Sequence, residues 1–128
     1  MSDNPLFDKI TAAVNGYIDA FSQGSADMVM DLYADNCTVE DPVGSPLKDG
    51  RDAVREFYVA SMQSGAKLTL TGPIRVATNE ATFSFTARVE LGDVVMEIDV
   101  IDHMVFDDQG KITAMRAFFG PENMRQVS

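Results

Sequence analysis

Residues 94–106 alternate between two faces, as the residues of a strand do. One face carries Val94, Met96, Ile98, Val100, Asp102, Met104 and Phe106; the other carries Val95, Glu97, Asp99, Ile101, His103 and Val105. Extended segments are also predicted over 37–41, 67–70, 74–78, 81–91 and 111–119. Pro42 and Gly44 end the first of these. Gly72-Pro73, Asn79-Glu80, Gly92-Asp93 and residues 107–110 supply the turns between the others. Earlier in the chain the period is helical. Ile10, Ala13, Val14, Tyr17, Ile18 and Phe21 share one face of a helix that starts near Asn4-Pro5 and ends by Gly24. Ser25-Ala26-Asp27 opens a short second helix, with Met28, Val29, Leu32 and Tyr33 inward. Asp49-Gly50-Arg51-Asp52 leads into a third helix carrying Val54, Phe57 and Tyr58.

Helices first and strands after is an α+β order. Long antiparallel strands with one apolar face would curl over the helices and enclose a pocket. The 128 residues suffice for one domain, expected over 1–128, and not for two. A hydrophobic fraction of 45% is that of an ordinary globular protein. The net charge of −10 speaks against nucleic acid and anionic membranes as partners and favours a neutral small molecule. No apolar run is long enough to cross a bilayer, and Met1-Ser2-Asp3-Asn4 lacks a basic leader start, so a cytoplasmic location is expected. The single Cys37 excludes an intramolecular disulfide or a thiolate cluster and reads as a small core residue. One His, with no HExxH-type spacing, argues against a catalytic zinc; no metal or cofactor is expected.

Three polar residues fall on inward faces. Asp102 is the only polar residue on the apolar face of 94–106. An ionised carboxylate there loses its hydration at a cost of several kcal/mol unless paired. The cheaper state is often the neutral acid, which can donate a hydrogen bond at pH 7. Asp41 shares a strand face with Val39 and precedes Pro42, and Tyr17 sits within the stripe of the first helix. Each has a plain structural alternative. Asp102 can cap a backbone donor or slip into water, Asp41 can begin a turn, and Tyr17 can be a core aromatic. Two acids and a phenol around one apolar pocket support enolisation. A charged Asp takes a proton from carbon beside a ketone, while Tyr and the neutral acid donate to the oxygen. Asp41 near the mouth and Asp102 deep inside would supply the difference in environment that such a pair needs.

Residues 33–45 (Tyr-Ala-Asp-Asn-Cys-Thr-Val-Glu-Asp-Pro-Val-Gly-Ser), Arg55-Glu56-Phe57-Tyr58, Ile101-Asp102-His103 and Met115-Arg116-Ala117-Phe118-Phe119-Gly120 resemble the bacterial ketosteroid isomerases (steroid Δ5-isomerases). These belong to the NTF2-like, SnoaL-like superfamily, and the resemblance covers nearly the whole chain. It implies a cone-shaped barrel with N-terminal helices on a curved, mixed, mainly antiparallel sheet, and a homodimer. It implies isomerisation of a 3-oxo-Δ5-steroid to the conjugated Δ4 enone. By matching position, Asp41 would shuttle the proton, and Tyr17 and Asp102 would form the oxyanion hole. Tyr58 would hydrogen-bond Tyr17, and Tyr33 would extend that network, although some members carry Phe there. Phe57, Phe83, Phe85, Val100, Met115 and Phe119 would line the steroid pocket; some members carry Trp at the place of Phe119. Asp99 and His103 lie on the opposite strand face and take no catalytic role; His103 is expected at the surface or in an interface. Asp107-Asp108 is expected as a solvated turn. Val95, Ile101 and Val105 make the outer face apolar enough for a partner surface. The competing readings are an enzyme of this scaffold acting on another ketone or polyketide, and a non-catalytic binding module. The complete set of Tyr17, Asp41 and Asp102 argues against both.

Overall fold

The first helix, α1 (Phe7–Gln23), stops where Gly24 turns left-handed at φ 63° and its N–H returns to the Ala20 and Phe21 carbonyls. Ser25 starts α2 (Ala26–Met30), its hydroxyl accepting the Met28 N–H at 3.1 Å. Two strands follow, β1 (Tyr33–Glu40) and β2 (Lys48–Asp49), and then α3 (Arg51–Gln63). The rest is extended: β3 (Lys67–Leu70), β4 (Arg75–Ala77), β5 (Glu80–Leu91), β6 (Val94–Phe106), β7 (Ile112–Phe118) and β8 (Met124–Gln126), with a 3-10 turn at Pro121–Asn123 before β8. The computed structural model describes residues 3–128.

The strands form one sheet in the order β2-β1-β7-β6-β5-β3. β4 continues along the β5 edge beyond β3, and β8 continues along β6 beyond β7. Every pair is antiparallel except β1 with β7. The sheet is thus mixed and mainly antiparallel, and with the helices it makes the expected α+β class. Its spine is the β5–β6 ladder, which runs unbroken from Glu80–Val105 to Leu91–Val94. Strands of that length twist, and their apolar face wraps around α1 and α3. Ile10, Val14 and Tyr17 of α1 and Val54 and Tyr58 of α3 are buried against Phe83, Phe85, Met104 and Phe106 of the sheet. Cys37 is buried in the same core.

The second helix is shorter than its apolar pattern implied, and Tyr33 opens β1 instead of closing α2. Strand β1 also starts four residues before the predicted 37. Its register against β7 shifts between Tyr33 and Thr38, and Asp35 and Asn36 are both exposed in that stretch. The alternation is broken there, which hides the strand from a period-two reading. The two-residue β2 and three-residue β8 are too short to carry a period at all.

Arg51 bridges this irregular region. Its guanidinium donates to the Tyr33 carbonyl at 2.8 Å and to the Met30 carbonyl at 3.2 Å, tying the start of α3 to the end of α2 and the start of β1. Charged hydrogen bonds of this kind contribute about 1.5–3 kcal/mol. Arg51→Ala should therefore lower the thermal midpoint by about 5–10 °C. A calorimetric scan showing no shift would mean that solvent satisfies these carbonyls equally well.

Candidate active site

Three separate elements deliver the polar groups to the apolar interior. Tyr17 comes from the middle of α1, Asp102 from the inward face of β6, and Asp41 from the first position after β1. Asp102 is 1% exposed. It pairs across the sheet with Phe83 on one side and Ala117 on the other, and Val100 and Met104 flank it on its own face. Neither of its carboxyl oxygens has a hydrogen-bond partner among the described residues. Burial, and secondarily the charge of Asp41, push its pKa well above the ordinary carboxylate value. The protonated, neutral form of Asp102 is therefore the favoured one.

Asp41 is half-buried. Desolvation raises its pKa to about 6, with Lys48 pulling the other way. It is therefore mainly ionised at neutral pH, yet far more basic than a surface carboxylate. The backbone around it is held on both sides. Glu40 accepts the Gly44 N–H at 2.9 Å with one oxygen and the Arg116 Nε–H at 2.9 Å with the other. These bonds hold the Glu40 carboxyl below its usual range, the Gly44 amide first and Arg116 after it. The Val43 N–H donates to the Ala117 carbonyl at 2.8 Å, so the loop is tied to the residue paired with Asp102. The Asp41-Pro42 peptide bond is cis.

The Tyr17 hydroxyl lies 3.2 Å from that of Tyr58, which lies 2.6 Å from that of Tyr33. Burial raises all three phenol pKa values well above normal, so the chain is un-ionised. Three hydroxyls carry three protons and make two bonds, so one proton remains for another partner. If Tyr33 donates to Tyr58 and Tyr58 to Tyr17, the spare proton is that of Tyr17. Tyr17 also feels Asp102 as its largest charge perturbation, followed by Tyr33 and Asp41. The phenol and both acids therefore share one electrostatic environment.

A cavity of about 250 Å³ opens beside these groups. Tyr17, Asp41, Phe57, Phe85, Val100 and Phe119 line it. Phe83 and Met115, expected on the wall, are instead packed in the core behind it, at 2% and 1% exposure. Phe83 contacts Tyr17 edge-on with ring centroids 6.2 Å apart, so it supports the donor from beneath. A larger depression of about 750 Å³ lies against Asp99, Ile101 and Phe118. It touches neither Tyr17 nor Asp41, so size alone does not locate the chemistry; Asp102 lines neither space.

Ser61 and Ser64 also line the cavity and were not anticipated. Their spacing from Phe57, four and then three residues, places all three on one face of α3 and its C-terminal cap, and that signal was present in the sequence. Asp99 faces outward, bonded to Arg125 and Thr86, and His103 contacts Glu80 on the same outer face. Among the described residues no three His, Cys, Asp or Glu side chains converge as metal ligands. No described helix is long and apolar enough to cross a membrane.

The arrangement is a carboxylate of near-neutral pKa and a phenol on the cavity wall, with the buried Asp102 coupled to both by charge. It suits removal of a proton from carbon with charge collecting on a nearby oxygen.

Comparison with known proteins adds the lineage. The SnoaL-like domain family matches residues 14–115. A steroid Delta-isomerase of Nocardioides simplex is 43% identical over 117 residues, covering 91% of this chain and 94% of that protein. An epoxide hydrolase/cyclase-like enzyme, SalBIII, described for pyran ring formation in polyether salinomycin, superposes with a TM-score of 0.87. The superposition covers 94% of this chain and 97% of that one at 22% identity, a likeness of fold, and the fold is the NTF2-like one. With a family match across most of its length and a steroid Delta-isomerase as a relative, the chain belongs to the SnoaL-like family.

Proposed function

We propose that the protein is a steroid Δ5-isomerase, converting 3-oxo-Δ5-steroids to 3-oxo-Δ4-steroids by intramolecular proton transfer. The observation that carries this reading is the division of labour between its two acids. Asp41 has a pKa of about 6, while that of Asp102, fully buried and coupled by charge to Asp41 and Tyr17, lies well above the ordinary value. The steroid Delta-isomerase relative supports an isomerase of this kind.

The steps follow from the proton inventory. The Asp41 carboxylate takes a proton from the α carbon, between the ketone and the Δ5 double bond. The electron pair of that C–H bond moves into the ring system and gives a dienolate with its charge on the oxygen. Tyr17 and the neutral Asp102 donate hydrogen bonds to that oxygen, and they gain strength as the charge builds. Asp41 then returns the same proton to the γ carbon, and the double bond moves into conjugation. Tyr58 and Tyr33 steady the Tyr17 hydroxyl from behind. Ketosteroid isomerases are a known case of a carboxylic acid kept neutral by an apolar site, and Asp102 sits in a setting of that type. Ile101 and Phe118, 49% and 44% exposed on the outer face, support a homodimer as the working assembly.

The direct test mixes the purified protein with 5-androstene-3,17-dione and follows the ultraviolet absorbance of the conjugated enone. Asp41→Asn should nearly abolish the rise while leaving steroid affinity within a few-fold. A folded wild-type protein with no rise above the spontaneous rate would point to another ketone or to a binding role. Turnover that survives in Asp41→Asn would remove Asp41 as the base.

The donor role of Asp102 separates two substitutions. Asp102→Leu removes the donor and should slow the chemical step by about a hundredfold or more. Asp102→Asn keeps an N–H in place and should lose much less. Equal losses in single-turnover kinetics would argue against hydrogen-bond donation.

The pH profile reads the base. Because only ionised Asp41 can accept the proton, kcat/KM should rise with pH through about 6 and then level. At pH 5 it should be about tenfold below the plateau. An acid limb centred near the ordinary carboxylate value would mean that Asp41 is not desolvated in the free protein.

A further inference from the structure

The cavity is polar at two ends and apolar between them. Tyr17, in contact with the fully buried Tyr58 and with Phe83, marks its inner end, and Asp41 also lines it. The β5–β6 ladder gives its length: Phe85 faces Val100, Ala87 faces Ile98, and Val89 follows on β5. From Phe85 to Val89 the wall therefore runs about 14 Å at the rise of a strand. Exposure grades along it, with Phe85 and Val100 buried and Ile98 and Val89 half-buried, so these two mark the rim. Helix α3 forms the facing wall. It advances about 9 Å from Tyr58, the partner of Tyr17, to Ser64. The half-buried Ser61 and Ser64 therefore sit toward the rim, away from the reacting end, and they are the polar side chains of that part of the lining.

The hydrogen bonds of the two serines define what they can recognise. The Ser61 hydroxyl donates to the Phe57 carbonyl at 3.0 Å, and the Ser64 hydroxyl donates to the Ser61 carbonyl at 2.6 Å. A hydroxyl has one proton and two lone pairs. With both protons engaged by the helix, the serines offer the cavity acceptor lone pairs. A ketone at the far end of a ligand has no proton to give them; a hydroxyl has one.

We propose that Ser61 and Ser64 form a distal acceptor site, and that the preferred substrate carries a hydroxyl group at the end opposite its reacting ketone. The inference rests on the isomerase reading for the orientation of the ligand. It deepens that reading from 3-oxo-Δ5-steroids in general to those with a hydroxylated D ring. Such a substrate has an apolar body that fills the space between Phe57, Phe85, Val100 and Phe119, with an oxygen function at each end. A reaction that reduces a D-ring ketone, or one that leaves a hydroxyl there, would supply it.

The test compares two 3-oxo-Δ5-steroids that differ only in a D-ring hydroxyl or ketone, on the wild-type protein and on the double variant Ser61→Ala, Ser64→Ala. The wild type should favour the hydroxyl substrate in kcat/KM by about three- to tenfold, the scale of one neutral hydrogen bond. The double variant should bring the two substrates within about twofold of each other, and Ser64→Thr, which keeps a hydroxyl, should retain the preference. No preference in the wild type, or an equal preference in the double variant, would overturn the proposal. If neither steroid is converted, the isomerase reading fails separately. Calorimetric affinities for the two corresponding conjugated enones then decide the serine site: tighter binding of the hydroxyl form, levelled by the double variant, supports it, and equal affinities in the wild type overturn it.

Discussion

A carboxyl group enclosed by apolar side chains, with no hydrogen-bond partner among the described residues, sets the terms for everything around it. Asp102 lies between Phe83 and Ala117 in the middle of the sheet, and water does not reach it. Charging it there costs several kcal/mol, so it keeps its proton. On the isomerase reading proposed above, that makes the acid a donor and not a base, and it leaves the base role to a different group. On the same reading Asp41 fills that role, lining the cavity half-buried and in the field of Lys48. Its own charge in turn helps hold the proton on Asp102. The two acids are chemically identical side chains, and position alone separates their affinities for a proton.

The phenol chain extends the same logic. A single buried tyrosine needs one partner for its hydroxyl. Here Tyr17, Tyr58 and Tyr33 satisfy one another and leave one proton over. They come from α1, α3 and β1, so the chain also records how those elements pack. The Arg51 clamp on the Tyr33 and Met30 carbonyls fixes the far end of this chain, where β1 loses its regular register. The Glu40–Arg116 and Val43–Ala117 contacts fix the loop that carries Asp41. Rigid backbone on both sides is what lets hydrogen-bond geometry be preset before a ligand arrives.

Much of this was legible in the sequence wherever period and burial agree. The β6 alternation placed Asp102 inward over 94–106, the same bounds the structure has, and the stripe of α1 placed Tyr17. Other parts were not legible, for identifiable reasons. Tyr33 looked helical because the β1 register shift breaks the alternation just after it. Phe83 and Phe85 both face inward, and the pattern cannot say that Phe85 meets the cavity while Phe83 lies beneath Tyr17. Ser61 and Ser64 share a helix face with Phe57, a spacing the sequence carries, but serine hydroxyls near a helix end are satisfied by nearby carbonyls, as these are, and nothing local marks them as lining a cavity.

The cost of this site explains why the rest of the fold is so firmly tied. Asp41 binds its proton more tightly in the folded chain than in the unfolded one. The stability this contributes is full below pH 3.8 and is lost as pH rises through about 6. Asp102 adds a cost of the same sign at higher pH, since its folded pKa is also raised. At the pH where Asp41 is useful as a base, the fold has therefore already given up part of its stability. The offset comes from elements that do no chemistry: the unbroken β5–β6 ladder, the aromatic contacts of Phe83 and Tyr58 with Tyr17, and the braces at both ends of β1. A chain that relaxed those supports would let water reach Asp102, and its carboxyl would then ionise more readily. The apolar packing is thus part of the acid–base chemistry, because the pKa values on which the proton transfer depends exist only while that packing holds.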